Sequence, residues 1–144
     1  MNNTTGENFN ITLYGYSGEA VNRDWANTGM ALMNKMFKEV AAHGLATNGT
    51  VVWGYWQGNM MMAGVELSGS LPGGTDLEQR SFELPRYVRI KHIGPYNQIP
   101  ETFTKAQEYF KNEGIAVGLP YLELYGHWNE DPSKLETDLL WTLV

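Results

Sequence analysis

Hydrophobic residues recur at helical spacing in two segments, one in each half of the chain. In the first segment they are Ala26, Met30, Met33, Phe37 and Val40. In the second, Pro100, Phe103 and Phe110 stand at the same spacings, with the polar Gln107 at the position that corresponds to Phe37. Spacings of three and four predict amphipathic helices, and the glycines that follow, Gly44 and Gly114, are typical of helix C-termini. We expect the Met30, Met33 and Met36 positions to lie in the core.

Alternating apolar and polar residues predict strands on both sides of each helix. The predicted strands are 10–16, 51–56 and 60–67 in the first half, and 87–93, 123–128 and 138–144 in the second. Trp53-Gly54-Tyr55-Trp56 in one half corresponds to Tyr125-Gly126-His127-Trp128 in the other. The sequence therefore predicts the element order strand, helix, strand, strand in each half of the chain.

This duplication predicts an α+β fold of two tandem βαββ units related by pseudo-twofold symmetry, with two helices packed on an antiparallel sheet. One βαββ unit has a marginal core, so the two copies are expected to bury their apolar faces together. We expect a single domain over 1–144, with one repeat at about 10–67, a glycine- and serine-containing linker at 68–83 and a second repeat at about 84–144.

Composition narrows the possible chemistry. The chain has 144 residues, of which 42% are hydrophobic, and it has no cysteine. A disulfide, a thiolate nucleophile and a cysteine zinc site are therefore excluded. The three histidines, His43, His92 and His127, are far apart and form no HExxH pattern. We expect neither a metal nor a cofactor.

Charge and hydropathy exclude two further classes of partner. The net charge of −6 and the pI of about 5.0 argue against a surface for nucleic acid, which requires clustered Lys and Arg. The first residues lack the pattern of a secretory signal, and no apolar run approaches the length of a membrane span. We therefore expect a cytoplasmic protein that does not bind membranes.

Three motifs resemble those of a known family. His92-Ile93-Gly94-Pro95-Tyr96 precedes the second helix, Gly64 to Leu67 ends the first repeat, and Thr137 to Trp141 lies in the last strand. Together they resemble the GyrI-like small-molecule-binding domain, the effector domain of AraC-type and MerR-type drug-sensing regulators. The resemblance covers about residues 10 to 144. Thr142 stands where the family usually has proline, and no helix-turn-helix precedes the domain, so the chain resembles a stand-alone member.

The resemblance implies a ligand cleft between the half-sheets, on the side away from the helices, lined by aromatic rings and often by one buried carboxylate. Alternation places Trp53 and Tyr55 on one strand face, with Val52 and Trp56 on the other. Because Val52 and Leu124 suit a helix-covered face, we expect the rings to point into the cleft. The expected lining is Trp53, Tyr55, Tyr125, His127 and Trp128, with Tyr14 at the rim.

Two acids are candidate partners for a positively charged ligand. They are Glu66, near the end of the first repeat's last strand, and Asp138, at the start of the second's. A carboxylate in an aromatic pocket attracts a cation, and the rings add cation–π contacts. Either acid could instead be solvated or paired with Arg89 or Lys91. Trp53 and Tyr125 could equally be core residues, and His92 is expected to be structural.

We thus expect a receptor for flat, hydrophobic small molecules, cationic ones included. An alternative within the resembled family is a hydrolase of strained cyclopropane-type electrophiles, with Glu66 as general base. Another is a protein-interaction module of the gyrase-inhibitor kind. Haem binding is a weaker alternative: His43, His92 and His127 are candidate axial ligands, but His43 lies one residue before a helix-ending glycine and His92 is expected to be structural. The oligomeric state does not follow from the sequence.

Overall fold

The computed structural model describes all 144 residues and contains six β-strands and two α-helices. In chain order they are β1 (Asn3–Glu19), α1 (Trp25–Ala42), β2 (Thr47–Trp56), β3 (Met60–Leu67), β4 (Glu78–Ile93), α2 (Ile99–Glu113), β5 (Val117–Tyr125) and β6 (Glu136–Leu143). Short 3₁₀ turns lie at Val21–Arg23, Tyr96–Gln98 and Pro132–Lys134. Neither helix combines the length and apolar character needed to cross a bilayer.

The chain divides into two compact units. The N-terminal unit is Asn10–Phe82, and the C-terminal unit is Met1–Phe9 together with Glu83–Val144. In the first, β3 pairs antiparallel with both β1 and β2; in the second, β6 pairs antiparallel with both β4 and β5. Each unit contains one helix, and its three strands are connected and paired in the same way as in the other unit. The predicted α+β class and the βαββ duplication are therefore confirmed.

Both helices end at the predicted glycines. Gly44 and Gly114 adopt left-handed backbone conformations, with φ of 57° and 68°. The next residue in each case donates its N–H to the carbonyl five positions back, at 3.0 Å from Leu45 and 2.8 Å from Ile115. This bond satisfies a carbonyl at the helix end that has no partner within the helix.

Several strand boundaries differ from the predicted ones. β4 begins at Glu78, so it takes up the last part of the expected linker, and its N-terminal part continues the alternation with Phe82 and Leu84 buried. β1 is also longer than 10–16. β5 ends at Tyr125 and not at residue 128, and the N–H of Gly126 donates to the carbonyl of Glu136 at 2.8 Å.

The helix α1 packs on β3 through a face that is rotated around the helix axis relative to the predicted apolar face. Met36 is fully buried with Tyr16, Val65 and Leu77, as expected for a core methionine. Met30 is 46% exposed, however, so its predicted core position is wrong. The contact stripe is centred on Met36, and Met30 lies about 120° away around a helix with 3.6 residues per turn.

Candidate functional site

One face of β5 carries a buried carboxylate between two tyrosines. Tyr121, Glu123 and Tyr125 alternate along the strand and therefore share a face. The Tyr121 hydroxyl donates to Oε2 of Glu123 and the Tyr125 hydroxyl donates to Oε1, each at 2.8 Å. Glu123 is only 8% exposed. Both of its oxygens accept a hydrogen bond from a hydroxyl group, which fits an ionised carboxylate.

Aromatic rings of α2 and β6 pack on this face. The Phe103 ring of α2 lies 5.2 Å from Tyr121, and Tyr96, in the turn before α2, lies 5.5 Å from Tyr125. Trp141 of β6 lies 5.0 Å from Tyr121. We call this group the Glu123 cluster. Its members are Tyr96, Phe103, Phe110, Tyr121, Glu123, Tyr125 and Trp141.

Two buried polar atoms on the same face have no hydrogen-bond partner. They are Oγ1 of Thr137 and Nε1 of Trp141. The register of β6 places Thr137 opposite Tyr125 and Trp141 opposite Tyr121, so both side chains share the face of Glu123. Unpaired buried polar groups are costly, and they offer hydrogen bonds to a bound molecule.

His92 is a structural residue, as predicted. It is 4% exposed, its Nδ1 lies 2.7 Å from Oγ1 of Thr102, and its Nε2 lies 3.0 Å from the Pro95 carbonyl. A carbonyl can only accept, so Nε2 carries the proton and Nδ1 accepts from the threonine hydroxyl. The ring therefore ties β4 to the start of α2. No cluster of three or more His, Asp or Glu side chains is arranged to hold a metal ion.

The rings of β2 face the helix of their own unit. The Trp53 indole lies against Gly29 of α1, where a Cβ atom would overlap the ring. Tyr55 packs edge-on against Trp25, at 5.4 Å between ring centres. The expected direction of Trp53 and Tyr55, away from the helices, is therefore wrong. Gly29 leaves room on the helix for a large ring, and the alternation along β2 does not reveal this space.

The same correction applies in the C-terminal unit. Tyr125 lies on the face that carries Tyr121, whose ring contacts α2 through Phe103, and not on a face turned away from the helix. Leu124, expected on the helix side, lies on the opposite face. The helix-covered face tolerates Glu123 because two tyrosine hydroxyls satisfy the carboxylate.

Neither predicted acid lies with the rings of its own unit. Glu66 is half-buried opposite Asn48, on the face of β3 opposite to that of Ala63, the partner of Trp53. Asp138 is half-buried opposite Lys91 and Leu124, on the face of β6 that Thr137 does not share. One of its oxygens, Oδ1, is buried without a hydrogen-bond partner. Their roles in ligand binding stay predictions.

The other predicted lining residues lie outside the Glu123 cluster. His127 and Trp128 follow β5 in a loop, and Trp128 is 73% exposed. Tyr14 is half-buried on β1 opposite Val65, a core residue under α1. Of the predicted residues, Tyr125 lies next to a buried carboxylate, that of Glu123.

Glu123 is the residue that the sequence argument missed as a candidate acid. The signal is present in Tyr121-Leu122-Glu123-Leu124-Tyr125, where an acid and two tyrosines alternate with leucines. The period of two places the three polar-tipped side chains together whichever way the strand faces. When both same-face neighbours of an acid are tyrosines, their hydroxyls can donate hydrogen bonds to its carboxylate if the strand buries it.

No protein-family model and no curated protein matches the chain. Solved structures do. The EcmrR C-terminal domain has a TM-score of 0.73 at 14% identity, covering 99% of this chain and 97% of that one. SAV2435 bound to tetraphenylphosphonium has a TM-score of 0.70 at 12% identity, covering 100% and 94%. A hydrolase from Listeria innocua has a TM-score of 0.57 at 11% identity, covering 99% and 91%. The chain therefore has the GyrI-like fold that its motifs predict, the fold that it shares with SAV2435 and the EcmrR C-terminal domain.

Proposed function

We propose that this protein binds hydrophobic organic cations and that Glu123 supplies the counter-charge. The observation that carries the proposal is a carboxylate 8% exposed and oriented by two tyrosine hydroxyls, with further aromatic rings packed on the two tyrosines. A cation bound beside a buried carboxylate is attracted strongly, because solvent and salt screen a buried charge pair weakly. The bound tetraphenylphosphonium of SAV2435, a protein of the same fold, is a molecule of this class.

The rings and the carboxylate would contribute differently to affinity. Aromatic faces attract a cation by about 0.5 to 2 kcal/mol per contact, depending on how dry the site is, and they accept many ligand shapes. The carboxylate fixes the position of the positive charge. Thr137 and Trp141 add unpaired polar atoms, of which the indole N–H can only donate. Cations that also carry a hydrogen-bond acceptor should therefore bind more tightly than those that do not.

The test is a calorimetric titration with tetraphenylphosphonium. We expect Glu123→Gln to weaken binding by about tenfold or more, because the variant keeps the side-chain shape and loses the charge. Triphenylphosphine oxide, an uncharged aromatic probe, should bind both proteins equally. Glu66→Gln is the matched control, since Glu66 is one of the two acids predicted from the sequence, and it should bind tetraphenylphosphonium like the wild type.

Two results would contradict the proposal. One is unchanged tetraphenylphosphonium affinity in Glu123→Gln. The other is a loss of affinity confined to Glu66→Gln, which would assign the counter-charge to one of the two acids predicted from the sequence. Circular dichroism of each variant separates a lost charge from a lost fold.

A hydrolase is a second candidate function, favoured by the tyrosine hydroxyls beside the carboxylate. Glu123 would take a proton from water, whose oxygen attacks a strained carbon, while the Tyr121 or Tyr125 hydroxyl protonates the leaving atom. In this version Glu123 replaces Glu66 as the base. Mass spectrometry of an electrophilic cyclopropane incubated with the protein tests it: a hydrolysed product that Glu123→Gln does not form supports the enzyme, and no product from the wild type rejects it.

A further inference from the structure

The helix α1 carries a second apolar stripe that the fold does not bury. Met30 and Phe37 are 46% and 45% exposed, and Ala26 and Ala41 are exposed on the same side. Met33, half-buried, completes the row. We call these five residues the α1 stripe. They follow one another at spacings of four, three, four and four residues, the period of one helix face.

This stripe adjoins the face that holds α1 on its sheet, and Met33 lies at the border between the two. The buried positions are Gly29 and Met36, with Leu32, Met33 and Val40 packed beside them. A helix that is apolar only where it meets its own core would have polar residues at the positions of Met30 and Phe37. Adjacent large apolar side chains at the surface are typical of interaction sites.

The outer four residues of the α1 stripe form a palindrome in size, whereas the counterpart of Met33 is the polar Asn34. Ala26 and Ala41 lie equally far from the midpoint between Met33 and Asn34, and so do Met30 and Phe37. A second copy of α1, antiparallel about a twofold axis through that midpoint, would set Ala26 against Ala41 of the partner subunit. Met30 would meet Phe37 of the partner subunit. Small residues at both ends would let the helices approach closely around the large central ones.

We propose that the α1 stripe is a self-association surface through which two copies of this chain form an antiparallel helix pair. A twofold contact requires a patch that complements itself, which the palindrome provides. The stripe contains no charged residue. Asp24 precedes the N-terminus of α1 and His43 follows its C-terminus, so antiparallel pairing brings ends of opposite polarity to the same level.

The size of the contact sets the expected affinity. An 18-residue helix is about 27 Å long at 1.5 Å per residue. One such helix pair buries less than the roughly 1,200 Å² of stable complexes. The dimer should therefore be weak and reversible, with a monomer–dimer equilibrium that shifts over the micromolar to millimolar range.

Sedimentation equilibrium over a concentration series tests the proposal. We expect the average mass of the wild type to rise from monomer towards dimer. Phe37→Glu should raise the dissociation constant by at least about tenfold, because it buries a charge at the contact. Leu119→Glu is the matched control, because Leu119 is 47% exposed and lies outside α1, and it should dimerise like the wild type.

Cysteine cross-linking tests the antiparallel arrangement of the two helices, because the chain has no native cysteine that would interfere. In the antiparallel pair, residue 34 of each copy is offset by about 1.5 Å along the axis and residue 38 by about 13.5 Å. Oxidation should therefore link Asn34→Cys into a covalent dimer much faster than Lys38→Cys. A monomeric wild type at every concentration, or equal linking of both variants, would overturn the proposal. Glu123→Gln should dimerise normally, so this inference does not depend on the proposed ligand.

Discussion

Burial and same-face neighbours separate the acids that the sequence leaves equivalent. Glu66, Glu123 and Asp138 all lie on strands, but only Glu123 is buried with both oxygens held by tyrosine hydroxyls. Alternation predicted that Trp53 and Tyr55 share a face, and they do. It could not predict that this face lies under α1, because a period of two says which residues point together and not what covers them.

A pH-dependent contact at the residue scale joins Tyr16 to Asp76. The Tyr16 hydroxyl donates to Oδ1 of Asp76 at 2.5 Å, and the Lys35 ammonium lies 4.0 Å from the centre of the Tyr16 ring. Burial, and then the hydrogen bond to Asp76, raise the pKa of Tyr16 far above its ordinary value. The hydrogen bond from Tyr16, helped by the charge of Lys35, lowers the pKa of Asp76.

The direction of these two shifts sets a pH window for stability. Asp76 stabilises the fold above its unfolded pKa, about 3.9, and the effect is lost as pH falls through the lower folded value. Neutral Tyr16 stabilises it below about pH 10, and the effect is lost as pH rises towards the higher folded value. We expect Tyr16→Phe to be less stable than the wild type, most clearly between about pH 5 and 9.

Urea unfolding at a series of pH values measures this difference. The stability difference between Tyr16→Phe and the wild type should shrink below about pH 4 and above about pH 10, where aspartate and tyrosine side chains titrate in the unfolded chain. Asp76→Asn, which keeps the side-chain shape, should flatten the acid side in the same way. A stability difference that stays constant from pH 3 to pH 11 would show that this contact has no such linkage.

At the scale of elements, local patterns predicted the helices better than their orientation. Helical spacing and the terminal glycines located α1 and α2 to within a few residues, because both signals act over one or two turns. The α1 stripe shows what these local patterns do not predict, namely which face of the helix is buried. Apolar residues cover two adjacent faces of α1, and only packing against β3 decides which face is buried.

The close contact between α1 and β2 predicts an effect on stability opposite to the one expected from helix propensity. Alanine normally replaces glycine inside a helix with a gain of about 1 kcal/mol. At Gly29 the added methyl would overlap the Trp53 indole, so we expect Gly29→Ala to lower the free energy of unfolding by about 1 to 3 kcal/mol. Asn34→Ala, on the exposed side of the same helix, is the control and should be neutral or stabilising.

Urea denaturation followed by tryptophan fluorescence measures both variants. A displaced Trp53 should also change the near-ultraviolet circular dichroism of Gly29→Ala and leave that of Asn34→Ala unchanged. If Gly29→Ala were as stable as Asn34→Ala, the ring could move aside freely, and the close contact between α1 and β2 would not matter for stability.

At the scale of the whole molecule, the repeat predicted the architecture from few residues. Corresponding short segments in the two halves, such as 53–56 and 125–128, established the duplication. They could not show that residues 1–9 group with the second repeat, because that assignment depends on contacts distant in sequence. Phe9 lies 5.8 Å from Tyr87, and Gly6 lies against the same ring. Neither contact leaves a local pattern.

The net charge of the whole molecule predicts how fast a cation arrives. A charge of −6 attracts tetraphenylphosphonium from a distance, and salt screens that attraction. The screening length falls from about 30 Å at 0.01 M to about 8 Å at 0.15 M ionic strength. We therefore expect the association rate constant to fall several-fold over this range while the dissociation rate constant changes little, because the charge of Glu123 is buried and weakly screened.

Stopped-flow fluorescence measures both rate constants, and triphenylphosphine oxide serves as the uncharged control, with an association rate insensitive to salt. Glu123→Gln should show the opposite pattern to salt: faster dissociation and a nearly unchanged association rate constant, because it alters one buried charge and leaves most of the surface field in place. A wild-type dissociation rate that rises as steeply with salt as the association rate falls would place the ion pair in solvent, and the buried carboxylate could not then be the counter-charge.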